Sequence, residues 1–454
     1  MTNIFDGVKN VHFIGIGGSG MFPIAQIFLK KGYKVSGSDN NYTTTIKILQ
    51  EQNIQFFDKQ SKKNVENAEI VIYSAAISED NEELVAAKNL GIPVYKRSHI
   101  LGELTKDFAN TVAVCGTHGK TTVTSMLTQI FLDAERDPSA IIGGKLRSIG
   151  GSGRIGNSED MVIEACEYQN TFHDIHPNNV VLLNIDLDHM EFFKTEKFLL
   201  ESFETFCSSA TGTVIYNASD ARSLKVVNRL KQNKLSFGWD NSADFHPQNI
   251  RKAEKLDTAF DIYYKGELFC SPTLHVPGKH NILNAVSACA AAFDSGISAE
   301  EIANGISNFL GAGRRFEFLG EYNGVTVVDD YAHHPAELEV TLNAAAELGF
   351  NKVWALHQPF TFTRTARLLD DFAQVLSIAD RVVLTEIMGS REKNNIGIYS
   401  ADLAKKIPSE KQTVVIADYD ECAQYIRDNA ASGDLVITLG CGDVNKIANK
   451  IIES

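Results

Sequence analysis

The chain of 454 residues exceeds the roughly 100–200 residues of one ordinary domain, so about three domains are expected. Acidic residues outnumber basic ones by 57 to 43, and the net charge of −14 argues against a general nucleic-acid or anionic-membrane binder, which needs clustered Lys and Arg. A hydrophobic content of 44% and only 10 prolines exclude a disordered chain.

The amino terminus and the cysteines indicate a cellular location. No basic segment followed by an apolar one opens the chain, so no signal peptide is predicted. No segment approaches the ~18 consecutive apolar residues of a membrane span. The 7 cysteines are scattered, without a C-x-x-C pair, which favours a reducing compartment. We therefore predict a cytoplasmic protein that acts on small molecules and binds neither membrane nor nucleic acid.

Alternating β-branched and helical segments predict an α/β fold with largely parallel sheets. The domain boundaries are predicted at residues 1–108, 109–313 and 314–454. In the first domain, the pattern predicts a strand, a helix and two further strands, in the order Asn10–Gly15, Met21–Lys31, Lys34–Ser38 and Glu69–Ala75.

The second domain is predicted to open with the strand Thr111–Cys115 and the helix Val123–Leu132. Farther on we predict a hairpin over Asp261–Phe269, and less regular structure at Gly143–Asn157 and Trp239–Asp257. The third domain is predicted to begin with a hairpin around Asn323-Gly324. Its later apolar runs predict four strands: Val353–Leu356, Val382–Leu384, Thr413–Ile416 and Leu435–Leu439.

A glycine-rich turn follows the first predicted strand. The segment Gly15-Ile16-Gly17-Gly18-Ser19-Gly20 fits G-x-G-x-x-G between a strand and a helix, where backbone N–H groups approach a diphosphate. Asp39, after the second strand, is suited to accept a hydrogen bond from a ribose or sugar hydroxyl. Ser74 begins a second ligand loop after the third strand. The motif predicts a nucleotide-diphosphate site and does not distinguish NAD from other nucleotides.

A phosphate loop follows the strand Thr111–Cys115. The segment Gly116-Thr117-His118-Gly119-Lys120-Thr121-Thr122 is two residues shorter than the standard G-x-x-x-x-G-K-[ST]. In such a loop, backbone N–H groups surround phosphates, Lys120 reaches the β- and γ-phosphate oxygens, and a threonine hydroxyl ligates Mg²⁺. This segment is the strongest functional signal in the chain.

Other polar residues fit the same nucleotide site. Glu164 ends an apolar strand and is the better candidate for Mg²⁺, which prefers oxygen ligands. His189, taken alone, is more typical of a hydrogen-bonded structural residue. Asn281 and Asn284 open an Ala-rich helix, where they either contact an adenine or cap the helix, and capping is favoured.

Six ordered motifs together resemble those of the Mur ligases. They are Gly15–Met21, Gly116–Thr122, Asn184–Met190, His280–Ala285, Gly313–Glu317 and Asp329–Pro335. The resemblance implies an N-terminal UDP-binding Rossmann-like domain, a central ATPase domain and a C-terminal Rossmann-like domain with the amino-acid site. The implied activity joins L-alanine to the muramyl carboxylate of UDP-N-acetylmuramate with ATP, through an acyl phosphate, in peptidoglycan precursor synthesis.

The resemblance also implies roles for single residues. The UDP-sugar would be bound by Gly15, Gly17, Gly18, Ser19, Gly20, Met21, Asp39 and Ser74. ATP would be bound by Gly116, Thr117, His118, Gly119, Lys120, Thr121, Thr122, Asn281, Asn284, Arg315 and Asp330. Mg²⁺ would be held by Thr121, Glu164 and His189, and the amino acid by Tyr331, His333 and Arg364. The expected catalytic residues are Lys120, Glu164, His189 and His333, in a monomer or weak homodimer.

Two segments depart from the family's usual pattern. Cys166 and Tyr168 stand in place of Asp and Ser in E-A-D-E-S, but both glutamates remain, so metal binding is expected to persist. Phe360-Thr361-Phe362 stands in place of His-Arg-Tyr, which leaves Arg364 as the retained cation for the amino acid's carboxylate. The preference among Ala, Ser and Gly therefore stays open.

Three other functions compete with this interpretation. The related ligase that attaches a recycled peptide to UDP-N-acetylmuramate shares much of the pattern, and the run Asp330–Pro335 favours alanine over it. A dehydrogenase would use the first turn for NAD but leaves Gly116–Thr122 without a role. A non-catalytic nucleotide-binding regulator fits the altered segment Phe360–Phe362, and it would release no ADP with the substrates.

Overall fold

The computed structural model describes residues 4–18, 20–41, 44–74, 76–253, 256–390 and 392–453. The chain forms two compact units. The first consists of Met1–Ile250, Phe260–Pro272 and Leu283–Phe309, and the second of Arg251–Ala259, Thr273–Ile282 and Leu310–Ser454. Three sheets, each mainly of parallel strands flanked by helices, confirm the predicted α/β class. The three domain boundaries stay a prediction.

The first sheet carries the glycine-rich turn. Its strands are β1 (Asn10–Ile14), β2 (Lys34–Ser38), β3 (Gln55–Phe57), β4 (Ile70–Tyr73) and β5 (Val94–Lys96). The helices are α1 (Phe22–Lys30), α2 (Thr44–Glu51), α3 (Glu82–Asn89) and α4 (Arg97–Thr105). All pairings are parallel, in the order β3-β2-β1-β4-β5. The strand order reverses between β1 and β4, which are parallel neighbours, so the turns at Gly15 and Ser74 meet where such sheets bind ligands.

The second sheet carries the phosphate loop. Its strands are β6 (Asn110–Cys115), β7 (Ser139–Leu146), β8 (Gly151–Arg154), β9 (Asp160–Glu164), β10 (Asn179–Leu182), β11 (Thr213–Asn217), β12 (Asn233–Phe237), β13 (Phe245–Lys252), β14 (Thr258–Tyr264), β15 (Glu267–Cys270) and β16 (Thr273–Leu274). The helices are α5 (Lys120–Asp133), α6 (Met190–Phe193), α7 (Glu196–Ser208), α8 (Ala221–Val227), α9 (Lys279–Asp294) and α10 (Ala299–Ser307).

The strand order of the second sheet is β15-β14-β13-β12-β11-β10-β6-β9-β7-β8, with β16 beside β14. Strand β6 runs parallel to both neighbours, β9 and β10. The carboxyl ends of these three strands therefore bring Gly116, Glu164 and Asn184 to one edge. Helix α5 is buried from Thr121 to Phe131, which fixes the loop that precedes it.

The third sheet carries the remaining candidate residues. Its strands are β17 (Glu317–Tyr322), β18 (Val325–Asp330), β19 (Val353–His357), β20 (Arg381–Leu384), β21 (Val414–Val415) and β22 (Leu435–Leu439). The helices are α11 (Pro335–Ala346), α12 (Phe362–Arg367), α13 (Leu369–Leu376), α14 (Ser400–Ala404), α15 (Tyr419–Asn429) and α16 (Asn445–Ile452). The order is β17-β18-β22-β19-β20-β21, with only β17 antiparallel. The carboxyl ends of β18, β22 and β19 thus meet at one edge.

Most predicted strands are confirmed, and the hairpin at Asn323-Gly324 turns with positive φ at both residues, 48° and 81°. Helix α5 begins at Lys120, three residues before the predicted start (123 − 120), and β21 is shorter than predicted. Within the described ranges, no helix is both long and apolar enough to span a bilayer.

Two predictions of less regular structure were wrong. The segment Gly143–Asn157 contains part of β7 and all of β8, which pair with each other as a hairpin. Its glycines hid these strands, although they mark close approaches: a Cβ at Gly143 would lie 2.5 Å from a Glu164 oxygen. The segment Trp239–Asp257 contains β13, where Pro247 and several polar residues obscured the strand pattern.

Candidate functional site

The glycine-rich turn is held by backbone groups and by Asp39. The N–H groups of Gly15 and Ile16 donate to the Ser38 carbonyl at 2.8 and 3.1 Å, and Gly15 has a φ of 81°. The Gly17 N–H donates to Asp39 Oδ2 at 2.9 Å. Asp39 thus shapes the turn itself, and its predicted contact with a sugar hydroxyl stays a prediction. Ser19 lies outside the described residues.

A cavity of about 330 Å³ runs from this turn to the end of β9. On the turn side it is lined by Gly18, Gly20, Met21 and Ser74. Its lining also includes Gly143, Glu164, Cys166 and Thr171, the first two residues of α4, Arg97 and Ser98, and the apolar side chains Leu101, Ile141, Ile142 and Ile175. We call it the Gly20–Glu164 cavity, and all of its lining belongs to the first compact unit.

The phosphate loop is fixed by Asn184, which follows β10. Its Oδ1 accepts from the His118 N–H at 2.8 Å, and its Nδ2 donates to the His118 carbonyl at 3.0 Å. The Asn184 carbonyl accepts from the Thr117 N–H at 3.0 Å. Gly116 and Gly119 have φ values of 136° and 87°, which other residues rarely adopt. The loop therefore has an imposed shape, with its N–H groups arranged before any phosphate binds.

Lys120 is largely buried, and its ammonium group is surrounded by acceptors. Nζ donates to the carbonyls of Gly116 at 2.5 Å and Thr117 at 3.0 Å, and lies 2.9 Å from Glu167 Oε2. Burial alone would lower the pKa of Lys120, but the negative charge of Glu167 foremost raises it above its ordinary value. The ammonium group is therefore a fixed positive charge beside the loop.

Thr121 and Glu164 meet at the start of α5. The Thr121 hydroxyl donates to Glu164 Oε2 at 2.9 Å, and the Gly143 N–H donates to the same oxygen at 2.8 Å. A hydroxyl and a carboxylate this close supply the hard oxygen donors that Mg²⁺ prefers. The Thr121 hydroxyl and the Glu164 carboxylate are therefore chemically suited to hold Mg²⁺.

His189 lies in a separate polar cluster. Its ring nitrogens lie 3.9 Å from Asp188 and 3.5 Å from Glu191, and its ring is 4.7 Å from that of Tyr168. Over the described residues, no group of three or more His, Cys, Asp and Glu is arranged to hold a metal ion. The metal role of His189 stays a prediction.

Four further residues predicted to bind ATP differ in what they contact: Thr122 and His118 of the phosphate loop, and Asn281 and Asn284 of α9. Thr122 is buried in the first turn of α5, and His118 lies 3.7 Å from Asp186. Asn284 faces the loop, since a Cβ at Gly119 would lie 2.8 Å from its Oδ1. Asn281, in the first turn of α9, donates its side-chain N–H to the Pro277 carbonyl at 2.7 Å, which is not a capping bond, and its role stays a prediction.

Asp330 and the neighbouring arginines lie in the second unit, after β18. The Asp330 carboxylate accepts from the N–H groups of Phe316 at 2.7 Å and Ala332 at 2.8 Å. Burial raises the pKa of Asp330 to about 6, against the opposing charge of Arg315. Arg314 pairs with Asp329 at 2.8 Å, and both arginines lie over the Tyr331 ring, at 5.0 and 5.4 Å.

A cluster in the second unit contains three predicted residues, Tyr331, His333 and Arg364. It also contains Glu337 and Cys441, which the sequence analysis did not predict. His333 Nδ1 lies 3.2 Å from Glu337 Oε2, and the rings of Tyr331 and His333 are 5.5 Å apart. Burial lowers the pKa of His333, although Glu337 opposes that shift. Cys441, after β22, interacts electrostatically with Arg364 and Tyr331, and burial raises its pKa to about 11. We call these five residues the Tyr331–Cys441 cluster.

Arg364 has an incomplete set of partners. Its Nη1 is buried and has no hydrogen-bond partner within the part of the chain that the structure describes. Thr361 is the N-cap of α12 but its side chain makes no capping bond, while Thr363 bonds Glu392 at 2.5 Å through its hydroxyl. A buried guanidinium nitrogen without an acceptor is costly, and an anionic ligand would satisfy it.

The site residues missed at the sequence level carried weak signals. Asn184 and Glu167 lie inside or beside quoted motifs, but nothing in the sequence distinguished them from their neighbours. Glu337 follows His333 by four residues (337 − 333), one helical turn, which was a usable signal. Cys441 lies between two glycines after an apolar strand, and Arg97 has no motif at all.

Comparison with protein families finds three consecutive matches. Residues 10–109 match the model described as Mur ligase family, catalytic domain. Residues 114–292 match the Mur ligase middle domain, and residues 314–442 match the Mur ligase, glutamate ligase domain.

Comparison with individual proteins gives full-length matches. The chain is 40% identical over 449 residues to UDP-N-acetylmuramate–L-alanine ligase of Acetivibrio thermocellus, covering 98% of this chain and 96% of that one. It is 39% identical over 448 residues to the protein of the same name from Caldanaerobacter subterraneus, covering 98% and 97%. A crystal structure of UDP-N-acetylmuramate–alanine ligase from Thermotoga maritima superimposes with a TM-score of 0.83 at 25% identity, covering 98% of each chain.

Proposed function

Because the chain belongs to the Mur ligase family, we infer that it is an ATP-dependent ligase that joins L-alanine to the muramyl carboxylate of UDP-N-acetylmuramate. Relatives of that name match it over 98% of its length. The observation that carries the proposal is the phosphate loop that Asn184 holds, in which Thr121 bonds Glu164, a residue that also lines the Gly20–Glu164 cavity. The product would enter peptidoglycan precursor synthesis.

The reaction needs ATP because a carboxylate is a poor acyl donor. The muramyl carboxylate attacks the γ-phosphorus of ATP, which forms an acyl phosphate and releases ADP. The amine of alanine then adds to the acyl carbon, and the tetrahedral intermediate expels inorganic phosphate. Both partners in the first step are anions, so positive charge at the phosphate loop has to offset their repulsion.

We propose that Lys120 and the N–H groups at the start of α5 bind the ATP phosphates, while the N–H groups of Thr117 and His118 donate to Asn184 and fix the loop. Lys120 is already desolvated and positively charged beside Glu167, so little reorganisation is needed when a phosphate replaces the loop carbonyls as its acceptor. Thr121 and Glu164 would hold Mg²⁺, which when bound supplies charge neutralisation at the phosphate oxygens. The roles at ATP of Asn281, Asn284, Arg315 and Asp330 stay predictions.

The sugar nucleotide would occupy the Gly20–Glu164 cavity. The diphosphate would lie against the turn at Gly18 and Gly20, with the N–H groups of residues 15–18 already donating within the protein. The cavity that Gly18 and Gly20 line also reaches Glu164. Its apolar wall, Ile141, Ile142, Leu101 and Ile175, suits the methyl groups of an N-acetylated, lactyl-substituted sugar. This arrangement supports a path for the muramyl carboxylate toward the γ-phosphate.

The amino acid would be bound by the Tyr331–Cys441 cluster. Arg364 has a buried nitrogen without an acceptor, and the carboxylate of alanine would provide one. His333, whose pKa burial lowers, would be neutral near pH 7 and able to accept a proton from the attacking ammonium group. The cytoplasmic location and the monomeric or weakly dimeric state stay predictions.

The proposal is tested by ADP release from the purified chain with UDP-N-acetylmuramate, ATP and Mg²⁺. The acceptors to compare are L-alanine, L-serine, glycine and the recycled tripeptide, with UDP-N-acetylglucosamine as the matched sugar control lacking the carboxylate. Release with L-alanine, and none with the control sugar, is the expected result. Release only with the tripeptide would assign the chain to peptide recycling, and no release with any acceptor would favour a regulator.

A further inference from the structure

Arg97, the first residue of α4, is a cation that pairs with no side chain in the described part of the chain. Its side chain lines the Gly20–Glu164 cavity, packs on Gly20 of the glycine-rich turn and interacts electrostatically with Glu164. The structure gives its guanidinium group no hydrogen bond and no ion pair with any described residue. Four other arginines of the same unit each pair with carboxylates: Arg136, Arg154, Arg222 and Arg229. Arg97 therefore differs from them in being left for a group outside the protein.

The surroundings of Arg97 make its lack of a partner costly. Burial lowers its pKa, and the acidic groups that oppose this shift, Cys166 and Glu164, are too distant to form an ion pair with it. A partly buried guanidinium without an acceptor loses hydration and gains no hydrogen bond in return. The guanidinium group is also the planar donor that best fits carboxylate and phosphate oxygens.

The geometry limits which ligand can provide those oxygens. The Arg97 guanidinium packs on Gly20, where an added Cβ would lie 3.0 Å from Nη1. On the other side of the cavity is Glu164, which would repel an approaching anion. A ligand that extends from the turn to Glu164 therefore needs a cation between them, and Arg97 is at that place.

We propose that Arg97 binds an anionic group of the sugar nucleotide and positions that substrate in the Gly20–Glu164 cavity. The identity of the ligand rests on the proposed function, while the cationic site rests on the cavity and on the absence of a partner for Arg97 among the described residues. Two groups of UDP-N-acetylmuramate share the required chemistry, the diphosphate and the muramyl carboxylate. Both present pairs of oxygens to a guanidinium group.

Calorimetric binding of two nucleotides to the purified full-length chain tests the proposal. Replacing Arg97 by Met keeps most of the side-chain length and removes the charge. Arg97→Met is expected to weaken UDP-N-acetylmuramate binding about 10- to 100-fold, the value of a charged hydrogen bond in a partly buried site. UDP-N-acetylglucosamine carries the diphosphate and lacks the carboxylate. If Arg97→Met lowers the affinity for both ligands, Arg97 binds the diphosphate. If it lowers the affinity for UDP-N-acetylmuramate alone, Arg97 binds the carboxylate.

Matched variants separate binding from folding. Arg229→Met removes an exposed arginine that pairs with Glu204, and it should leave both affinities unchanged. Gly20→Ala adds a Cβ against Nη1 where φ is not positive, so it should displace Arg97 without straining the backbone. Its effect on binding should disappear in the Arg97→Met background, because the group it displaces is then gone.

Each outcome decides the proposal. In one outcome, the wild-type chain binds UDP-N-acetylmuramate, and the Arg97→Met variant has an unchanged melting temperature and affinities for both nucleotides within twofold of wild type. Arg97 then does not bind the sugar nucleotide, while the proposed function stands. If the wild-type chain does not bind UDP-N-acetylmuramate, the proposed function fails, and the assignment of Arg97 fails with it.

Discussion

The phosphate loop and the Tyr331–Cys441 cluster are built in different ways. The loop gets its shape from backbone groups that a single side chain, Asn184, holds at 2.8 and 3.0 Å. The cluster consists of side chains from four separate places: the turn after β18, the start of α11, helix α12 and the turn after β22. One site is centred on seven consecutive residues that Asn184 holds, whereas the other exists only once the third sheet has formed.

This difference determines how each site tolerates change. The loop offers many equivalent N–H donors, so its function depends on shape and on one cation, Lys120. The cluster depends on individual charges, and near it Phe360-Thr361-Phe362 stands where the family pattern has His-Arg-Tyr, so one cation is missing. We therefore expect the loop to respond strongly to loss of its cation, and the cluster to respond to gain of one.

The largest effect is expected for Lys120→Ala. Removing the ammonium group leaves phosphate charge uncompensated in a desolvated site, so ADP release should fall by about a thousandfold or more. Lys88→Ala, at an exposed lysine that pairs with Glu79, is the control and should keep full activity. Activity near the wild-type value in Lys120→Ala would refute the assignment of the phosphate loop.

The shape of the loop is tested by Asn184→Ala. Loss of the two bonds to His118 should lower kcat/KM for ATP roughly 10- to 100-fold, at about 1 kcal/mol or more for each bond. Asn178→Ala is the matched control, because Asn178 accepts from the Thr111 N–H at 2.8 Å at the opposite end of β6. Equal losses of ATP efficiency in the two variants would show that Asn184 contributes only to stability.

The cluster is tested by Thr361→Arg, which restores a cation at a position where the family pattern has one. An Arg–carboxylate bond contributes about 1.5–3 kcal/mol, and solvent near Thr361 would screen the charge and reduce that contribution. The KM for L-alanine should therefore fall by up to roughly tenfold. Thr361→Gln adds length without charge and should not produce the change. An unchanged or raised KM would reject the missing cation as the limiting contact.

The smallest effect is expected for Glu337→Gln. His333 is useful as a base only when neutral, and its pKa lies below the ordinary 6.5 because burial outweighs the charge of Glu337. Activity with L-alanine should therefore be lost as the pH falls through that lowered pKa. Removing the Glu337 charge lowers the pKa further, so the acid limb of kcat/KM should move to lower pH, by less than about one unit. Glu337→Asp keeps the charge and should return the acid limb to its wild-type position. A shift of the acid limb to higher pH in Glu337→Gln would contradict the interaction of His333 with Glu337.

The phosphate loop and the sheets could be predicted because their signals are local. The run Val112–Cys115 followed by Gly116–Thr122 specifies a buried strand, a tight turn and a helix within eleven residues (122 − 112 + 1). The hairpin at Asn323-Gly324 is equally local. These elements need little from the rest of the chain to form.

The remaining features depend on what packs against them. Glycine in β7 and β8 weakened the strand signal, yet Gly143 is there because Glu164 approaches its backbone, which only the folded sheet reveals. Arg97 lies in no recognisable motif, and only the folded structure shows that no described residue pairs with its guanidinium group. Asp39 was predicted to contact a sugar hydroxyl, but its bond to the Gly17 N–H could not be read from a separation of 22 residues.

The acyl phosphate is tested most directly by following oxygen. UDP-N-acetylmuramate labelled with ¹⁸O at both carboxylate oxygens is incubated with the chain, ATP, Mg²⁺ and L-alanine, and the released phosphate is analysed by mass spectrometry. Transfer of the γ-phosphoryl group to the carboxylate predicts one ¹⁸O in each phosphate released. Phosphate that carries no ¹⁸O while the alanyl product accumulates would contradict this mechanism.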